Sequence, residues 1–473
     1  MKTNRFITKT TGLIILLLAT VLYNGSAQPV PVEIGSRLEL LVDDFLIDKL
    51  SSDLEFHLHK PVPQKVALIT DAPWEGNTSA YYTVFQDGDL MRMYYRGWHH
   101  TEIGHKPFHR EVTCYAESRD GVTWTKPKLG LIDWNGSKEN NIVWDGIGCH
   151  NFTPFLDSNP ECPEDEKYKA LGRENRPGKE NNALFAFKSP DGIHWSLMSD
   201  EPVITKGAFD SQNLSFWDSE REEYREYHRT FHNGIRDIQT ATTQNFLDWP
   251  DPVFLSYQGA SKQHLYTNTV QPYFRAPHLF VAFPTRFLPE EGDRVEPILM
   301  TSRDGLTFHR WNEPVIPESA PKDRAGNRSN YMAWGIIQSP DKPNELSVYA
   351  SEAYYDGPDS RLRRFTFRTD GFVSVRADSH GGEILTKPLV FDGNNLEINF
   401  KASASGSIRV EIQNASGEPL KGLGLEDCFL LKGDSIDRRV EWKEKTNLNA
   451  ISGTPVRLRV VMQNADLFAL RFQ

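Results

Sequence analysis

The chain has little of what builds a disulfide-rich or zinc-bound fold, because only four of its 473 residues are cysteine. Cys114, Cys149, Cys162 and Cys428 are scattered, without the close pairs that structural zinc prefers. In an oxidising compartment the sequence allows one disulfide, between Cys149 and Cys162. The sequence therefore excludes a disulfide framework.

The chain is also short of positive charge, with 53 Lys and Arg against 64 Asp and Glu. Binding of a polyanion needs a basic surface, so nucleic acid is not expected as a partner. Beyond the N-terminus, no run approaches the roughly 20 apolar residues of a transmembrane helix. Phosphate loops, Rossmann glycine patterns, nucleophile elbows and His-Glu-x-x-His elements are missing. No cofactor, membrane span or oligomeric state is predicted, and nothing in the sequence requires a metal, calcium included.

The N-terminus has the pattern of a secretion signal. Basic residues precede an apolar run at 13–22, and the small residues at 25–27 suit a cleavage site. We expect 1–27 to be removed after Ala27, which predicts a secreted or periplasmic protein. No Cys lies near the cleavage site, so a lipoprotein anchor is not expected.

A short turn motif recurs five times along the rest of the chain. Its clearest copies read Ser-Arg-Asp-Gly-Val-Thr-Trp, Ser-Pro-Asp-Gly-Ile-His-Trp and Ser-Arg-Asp-Gly-Leu-Thr-Phe, and two are degenerate. The central residues of the five copies are Asp120, Asp191, Asn245, Asp304 and Asp370. Asp-Gly favours a tight turn because glycine accepts a positive φ. We interpret the motif as a hairpin turn and not as part of an active site.

Alternating segments between these turns predict about four strands per unit. Five such units indicate a five-bladed β-propeller over 28–380. After about Arg376 the pattern changes to other alternating segments, which predict a jelly-roll-like β-sandwich over 383–473 that braces the propeller. The expected fold class is all-β.

Three stretches resemble a bacterial group often described as family-32-like: Leu-Val-Asp-Asp at 41–44, Phe-Asp-Ser-Gln-Asn at 209–213 and Gly-Ile-Arg-Asp-Ile at 234–238. With its five units and C-terminal sandwich, the chain resembles the five-bladed glycosidases of glycoside hydrolase families 32, 43 and 68. The resemblance implies a secreted enzyme that hydrolyses a polysaccharide or oligosaccharide. The invertase elements Trp-Met-Asn-Asp-Pro-Asn-Gly, Arg-Asp-Pro and Glu-Cys are absent, so fructan specificity is not supported.

Two rings of polar residues are predicted on one face of the propeller. The entrances to the innermost strands supply Glu75, Asn77, His150, Asn151, Asp210, Asn213, Tyr266 and Arg328. The ends of the second strands supply Arg96, Arg173, Arg229, Arg286 and Glu352. Recurring guanidinium groups suit bidentate recognition of carboxylate or sulfate. They therefore predict an anionic sugar.

Glycosidic cleavage usually needs two carboxyl groups that flank the bond. We predict Asp210 as base or nucleophile, Glu352 as general acid and Asp237 as an orienting or charge-tuning partner. If hydrolysis is correct, Asp210 and Glu352 should face each other across roughly 5–10 Å.

Two alternatives stay open. The first is elimination on a uronic-acid sugar, in which arginines neutralise the carboxylate and His150 or a tyrosine removes the α-proton. Arginines and His150 crowded at one point would favour it. The second is a glycan-binding propeller without catalysis, which carboxylates turned away from the channel would favour.

Overall fold

A computed structural model describes residues 30–101, 107–175, 182–259, 261–317, 331–444 and 447–473. The predicted signal segment and Arg328 lie outside these ranges. Within them the chain forms strands, no α-helix, and three short 3-10 helices at Glu164–Glu166, Pro289–Glu291 and Asn449–Ile451. None of the described helices is long and apolar enough to cross a membrane. The prediction of an all-β fold is confirmed.

Thirty-two strands follow one another in the described residues. The first nine are β1 (Val32–Gly35), β2 (Glu39–Leu40), β3 (Ile47–Leu50), β4 (Leu54–Leu58), β5 (Val62–Ile69), β6 (Ala80–Asp87), β7 (Leu90–Gly97), β8 (Val112–Ser118) and β9 (Ile142–Trp144). The next eight are β10 (Thr153–Leu156), β11 (Tyr168–Asn175), β12 (Asn182–Ser189), β13 (Ser196–Leu197), β14 (Leu214–Asp218), β15 (Glu223–His232), β16 (Ile235–Thr243) and β17 (Val253–Phe254).

A second group of strands completes the chain. Seven of them are β18 (Ser256–Gln258), β19 (His264–Leu265), β20 (Gln271–Tyr273), β21 (Ala276–Ala282), β22 (Thr285–Leu288), β23 (Arg294–Ser302) and β24 (Thr307–Pro314). The last eight are β25 (Glu345–Glu352), β26 (Arg361–Arg368), β27 (Val373–Ala377), β28 (Gly382–Thr386), β29 (Leu389–Phe391), β30 (Leu396–Asn414), β31 (Asp434–Arg439) and β32 (Val456–Phe472).

Four successive sheets are arranged as blades of a β-propeller. Strands β6–β9, β10–β13 and β14–β17 form three four-stranded sheets, and β18–β24 form a seven-stranded sheet. Neighbouring sheets share a buried apolar cluster, in which Leu171, Leu214 and Phe280 all take part. Burial of each such side chain contributes about 1.5–3 kcal/mol, so this packing holds the sheets together.

The repeated turns follow the third strand of the first three sheets and strand β23 of the fourth. In the copies at Asp120, Asp191 and Asp304, the Ser hydroxyl accepts a hydrogen bond of 2.9 Å from the Gly amide. Each Asp carboxylate accepts bonds from two further amides of its own turn. Gly121 has a φ of 68°, a value that glycine adopts without strain. These residues are structural, as predicted.

The fifth copy of the motif follows β26, in a three-stranded sheet of order β25-β26-β5. Strand β5 pairs antiparallel with β26, with Leu68 opposite Leu362. The pairing therefore ties the start of the propeller region to its end. A fifth blade stays a prediction.

A ten-stranded sheet joins both ends of the described chain. Strands β1, β2, β3 and β4 pair with β29, β32, β28 and β27 respectively. The sheet encloses a buried core that includes Phe400, Trp442 and Phe472. Residues 32–58, which the predicted boundary assigned to the propeller, thus pair with the C-terminal strands. The boundary itself and the jelly-roll-like sandwich stay predictions.

Candidate active site

A cavity of about 480 Å³ lies where several sheets converge. Its walls are largely aromatic, and its polar groups include two arginines, two histidines and two aspartates. The lining residues are Tyr81, Arg96, Trp98, His100, His150, Arg173, Asp210, Tyr266, Phe287, Asp293, Val295, Tyr331, Tyr354 and Tyr355. Five residues predicted from the two rings are among them: Arg96, His150, Arg173, Asp210 and Tyr266. Both rings therefore contribute to one site.

Asp210, His150 and Glu111 form a hydrogen-bonded chain at this site. The His150 Nε2 atom lies 2.9 Å from Asp210 Oδ1, and its Nδ1 atom lies 2.7 Å from Glu111 Oε1. Both contacts are hydrogen bonds to ionised carboxylates only when both ring nitrogens carry a proton. The two contacts therefore fix the orientation of the ring.

Positive charge surrounds the Asp210 carboxylate. Burial alone would raise the pKa of Asp210, but the hydrogen bond from His150 and the charges of His150, Arg173 and Arg229 hold it well below its usual range. The Arg173 guanidinium lies 3.4 Å from Asp210 Oδ1. Burial likewise opposes ionisation of Glu111, whose pKa His150, Arg96 and Arg173 nevertheless lower. Both acids are therefore ionised at neutral pH.

Asp210 sits at the centre of a tight turn that two asparagines hold in place. The Ser211 amide donates to the Phe209 carbonyl at 2.7 Å. The Asn213 side-chain amide donates to the carbonyls of Phe209 and Ser211 at 3.0 and 2.9 Å, and that of Asn151 donates to the same pair. Asn151 and Asn213, predicted to bind substrate, are buried and instead position Asp210.

The opposite part of the lining is built around Arg96, which is buried. Its guanidinium donates to the Tyr354 hydroxyl at 2.8 Å and lies 4.8 and 4.9 Å from the ring centroids of Tyr81 and Trp98. Tyr81 and Tyr355 have φ values of 56° and 60°, which bulky residues rarely adopt. Strained backbone of this kind clusters at functional sites.

Arg229 and Asn77 support the lining from behind. The Arg229 guanidinium lies 4.8 Å from the ring centroid of Tyr266, and its Nε donates to a backbone carbonyl. The Asn77 side chain is hydrogen-bonded to both backbone groups of His100. Neither residue lines the cavity, and their contact with substrate stays a prediction.

Glu352 does not line the cavity. Its side chain is fully buried, and its two carboxylate oxygens lie 2.5 Å from Arg361 Nε and 2.6 Å from Arg363 Nε. The prediction overlooked that the adjacent strand β26 carries arginines directly beside the end of β25, so the acid is neutralised within its own sheet. The structure does not bring Glu352 together with Asp210 in the cavity.

Three further predicted residues are paired with groups outside the cavity. Asp237 is buried and accepts a hydrogen bond of 2.8 Å from the Tyr257 hydroxyl. Arg286 is ion-paired with Glu296. Glu75 accepts bonds of 2.5 Å from Tyr95 and 2.6 Å from Lys126. None of the three lines the cavity. Each one instead forms a hydrogen bond or an ion pair with the partner named above.

Cys149 and Cys162 are both unpaired, so the bridge considered from the sequence is absent. The described residues contain no group of three or more His, Cys, Asp or Glu side chains that could hold a metal ion.

Several residues of the site were not predicted from the sequence. Asp293 follows a Glu-Glu-Gly run that is typical of an ordinary turn, and Glu111 lies directly before strand β8 without any motif. Tyr354 and Tyr355 come just after strand β25, whose last residue is the predicted Glu352. An available signal was the pair of adjacent tyrosines at 354–355, which resembles the pair at 81–82 at the start of β6.

The chain was compared with protein-family models, curated proteins and solved structures. No protein-family model and no curated protein matches the chain. Among solved structures it is similar to one described as a glycoside hydrolase, with a TM-score of 0.47, 14% identity and coverage of 65% of this chain and 92% of that chain.

Two other solved structures are similar to the same degree. A thermostable family-43 glycoside hydrolase has a TM-score of 0.44, 14% identity and coverage of 68% of this chain and 96% of that chain. An N-acetylgalactosamine deacetylase from F. plautii, in complex with blood group B trisaccharide, has a TM-score of 0.45, 13% identity and coverage of 68% and 97%. Similarities this distant carry no argument about activity, and the resemblance to family 32 stays a prediction.

Proposed function

We propose that the protein is a glycoside hydrolase whose reaction takes place in the cavity around Asp210. The observation that carries the proposal is an ionised carboxylate, with 51% of its side chain exposed, held by His150 and Arg173 beside aromatic walls. The volume of about 480 Å³ falls in the range of roughly 300–1,000 Å³ usual for small-molecule sites.

The walls suit a sugar ring, which has apolar C–H faces and a rim of hydroxyl groups. Aromatic side chains supply broad apolar surface, and tyrosines add a polar end. Burial raises the pKa of Tyr81, Tyr331 and Tyr354, so their hydroxyls stay protonated and are able to donate hydrogen bonds to sugar oxygens.

Asp210 acts as base or nucleophile in this proposal. Its lowered pKa keeps the carboxylate ionised, which a base or nucleophile requires and a proton donor does not. His150 touches Asp210 directly at 2.9 Å, whereas the acid and the base of a glycosidase stand roughly 5–9.5 Å apart. His150 is therefore a positioning residue for Asp210.

Asp293 takes the general-acid role that the sequence assigned to Glu352. It is the other carboxylate that lines the cavity in the described part of the chain. Its φ of 60° is uncommon for a residue with a side chain. Asp293 protonates the glycosidic oxygen as the C–O bond breaks, while Asp210 attacks the anomeric carbon or activates the water that does.

Four finer features belong to the same proposal. Arg96 and Arg173 in the lining support an anionic sugar. The N-terminal signal pattern supports export, although it lies outside the described residues. Bridges from Met332 to Ala350 and from Ile337 to Ser347 support an innermost strand beside β25, and hence a fifth blade closed by β5. The core enclosed by the ten-stranded sheet supports a C-terminal sandwich.

The test is a panel of neutral and acidic oligosaccharides incubated with the protein. New reducing ends and the ultraviolet absorbance of unsaturated uronic acid are followed together. We expect new reducing ends without absorbance. Asp251→Asn, a change at an exposed carboxylate, should retain the activity and serves as the matched control for Asp210→Asn. The proposal would be overturned if no member of the panel gave a product.

Elimination on a uronic-acid sugar is the second candidate. It is favoured by the contact of His150 and Arg173 with Asp210, which meets the criterion that the sequence set for elimination. A tyrosine base is opposed by the raised pKa values of the lining tyrosines. Absorbance in the panel would decide for elimination and against hydrolysis.

A further inference from the structure

A second cavity of about 810 Å³ lies directly beside the first. The two cavities share three lining residues, Trp98, His150 and Arg173. These side chains therefore stand between two adjacent cavities, which together we call the cleft. The second cavity has no part in the chemistry described so far.

His150 divides the two parts of the cleft. One ring nitrogen contacts Asp210, which lines the first cavity, and the other contacts Glu111, which lines the second. Trp98 stands edge-on to the same imidazole, with ring centroids 6.0 Å apart. His150, which holds Asp210 in place, thus stands at one end of the second cavity.

The second cavity is polar and carries both signs of charge. Arg110 Nε lies 2.7 Å from Asp145 Oδ2, and its guanidinium stacks 4.5 Å from the ring centroid of Trp134. Arg110 is paired with Asp145 and Glu111 with His150, and Arg173 and Glu174 also line the cavity, so the lining offers hydrogen bonds of both kinds. This chemistry matches a neutral polyhydroxylated ring.

A glycine-containing loop shapes this cavity. Gly146 has a φ of 147° and nothing within 4 Å of the position where a Cβ would stand. At Gly148, a Cβ would approach Phe187 Cζ to 2.5 Å. The loop is therefore packed closely against strand β12 on one side and open towards the cavity on the other.

We propose that the second cavity binds the leaving-group side of the substrate, which is an oligosaccharide with a neutral sugar at that end. The inference rests on the proposed function and names the substrate class of the same site. Each cavity alone reaches the size of a small-molecule site, so the cleft accommodates more than a single sugar. On cleavage, water supplies hydroxyl to the anomeric carbon and the leaving sugar departs with a proton on its oxygen.

The test fills the second cavity without touching the first. Asp145 lines only the second cavity, and 25% of its side chain is exposed. Asp145→Trp fills the space, whereas Asp145→Ala removes the same ion pair and leaves the space open. Leu247→Trp, on an exposed turn, controls for an added indole. The probes are the glycosyl fluoride, whose leaving group is too small to occupy the second cavity, and the tetrasaccharide of whichever sugar the panel identifies.

We expect Asp145→Trp to raise KM for the tetrasaccharide about tenfold or more, the loss of roughly one sugar's contacts, and to leave the glycosyl fluoride's KM within about twofold. Asp145→Ala should have the smaller effect on the tetrasaccharide. Equal KM changes for both probes, or none, would overturn the proposal.

A failure of the proposed function would look different, since the wild-type protein would then cleave nothing. In that case calorimetric titration of the panel's tetrasaccharides into the wild-type protein and Asp145→Trp still decides the matter. Binding that Asp145→Trp weakens supports the second cavity as a glycan site. Binding unaffected by the change, or no binding at all, contradicts it.

Discussion

The loop at 209–213 and the end of strand β25 both carry an acid that the sequence marked as catalytic, yet they use it in opposite ways. Asp210 keeps 51% of its side chain exposed, while Glu352 is fully buried. Both acids have cationic partners. Asp210 meets His150 and Arg173 at the edge of a cavity, and Glu352 meets two arginines inside a sheet.

The difference follows from where the partners come from. Arg361 and Arg363 stand on the strand hydrogen-bonded to that of Glu352, so the pair forms within one sheet and excludes water. His150 comes from the loop before β10, and Arg173 from the end of β11, both in the neighbouring sheet. At these two places, the charge assembled between sheets is accessible and the charge paired within a sheet is buried.

The largest expected effect concerns the proton donor. Asp293→Asn should lower kcat on an oligosaccharide about 10²–10⁴-fold, the usual contribution of general acid catalysis. A dinitrophenyl glycoside of the same sugar should be cleaved almost as fast as by the wild type, because that leaving group departs without a proton. An equal loss on both substrates would show that Asp293 is not the acid.

The next effect is on stability. Glu352→Gln leaves two buried guanidinium groups without their carboxylate, which should lower the free energy of unfolding by about 3–5 kcal/mol. Urea denaturation measures it. Glu55→Gln, at an exposed position, should change the same quantity by less than about 0.5 kcal/mol. Comparable stability of the two variants would contradict the structural role of Glu352.

A smaller effect is expected at the turn that presents Asp210. Asn213→Ala leaves two backbone carbonyls with fewer partners and should cost about 1–3 kcal/mol of stability. It should also lower kcat more than it raises KM, because Asp210 loses its position. Asn245→Ala, in an exposed repeat turn, is the matched control. An unchanged kcat in Asn213→Ala would separate the turn from catalysis.

The smallest effect is a change in pH dependence. Because the pKa of Asp210 is lowered, its base form persists as the pH falls below the usual Asp value of about 3.9, and activity declines only as the pH approaches the lowered value. Arg173→Met removes part of the positive charge, so the acid limb of kcat/KM should move to higher pH. Arg119→Met, on an exposed turn, should leave the limb in place.

Much of the fold could be predicted from sequence because the turns are local. A Ser-x-Asp-Gly run satisfies its own hydrogen bonds, so its geometry does not depend on distant residues. The role of residues 32–58 could not be predicted in this way, since their pairing with β27–β32 spans most of the chain and no local signal marks it.

The candidate site was predictable to a smaller extent. Asp210 and His150 could be predicted because both lie at the entrance of an innermost strand, and the position along the strand decides which residues converge on the site. Which charged side chains form ion pairs with one another could not be predicted. The Glu352 carboxylate is neutralised by arginines, and their position beside it depends on the strand register. Asp293 reaches the cavity from a loop with no periodic pattern.

The central claim is that Asp210 is the reactive carboxylate, and the initial rate of reducing-end release by Asp210→Asn tests it most directly. The account predicts a fall in kcat of at least about 10²-fold with an unchanged urea midpoint, since the carboxylate is half exposed and the turn's backbone bonds remain. Wild-type activity in a folded Asp210→Asn protein would contradict the account.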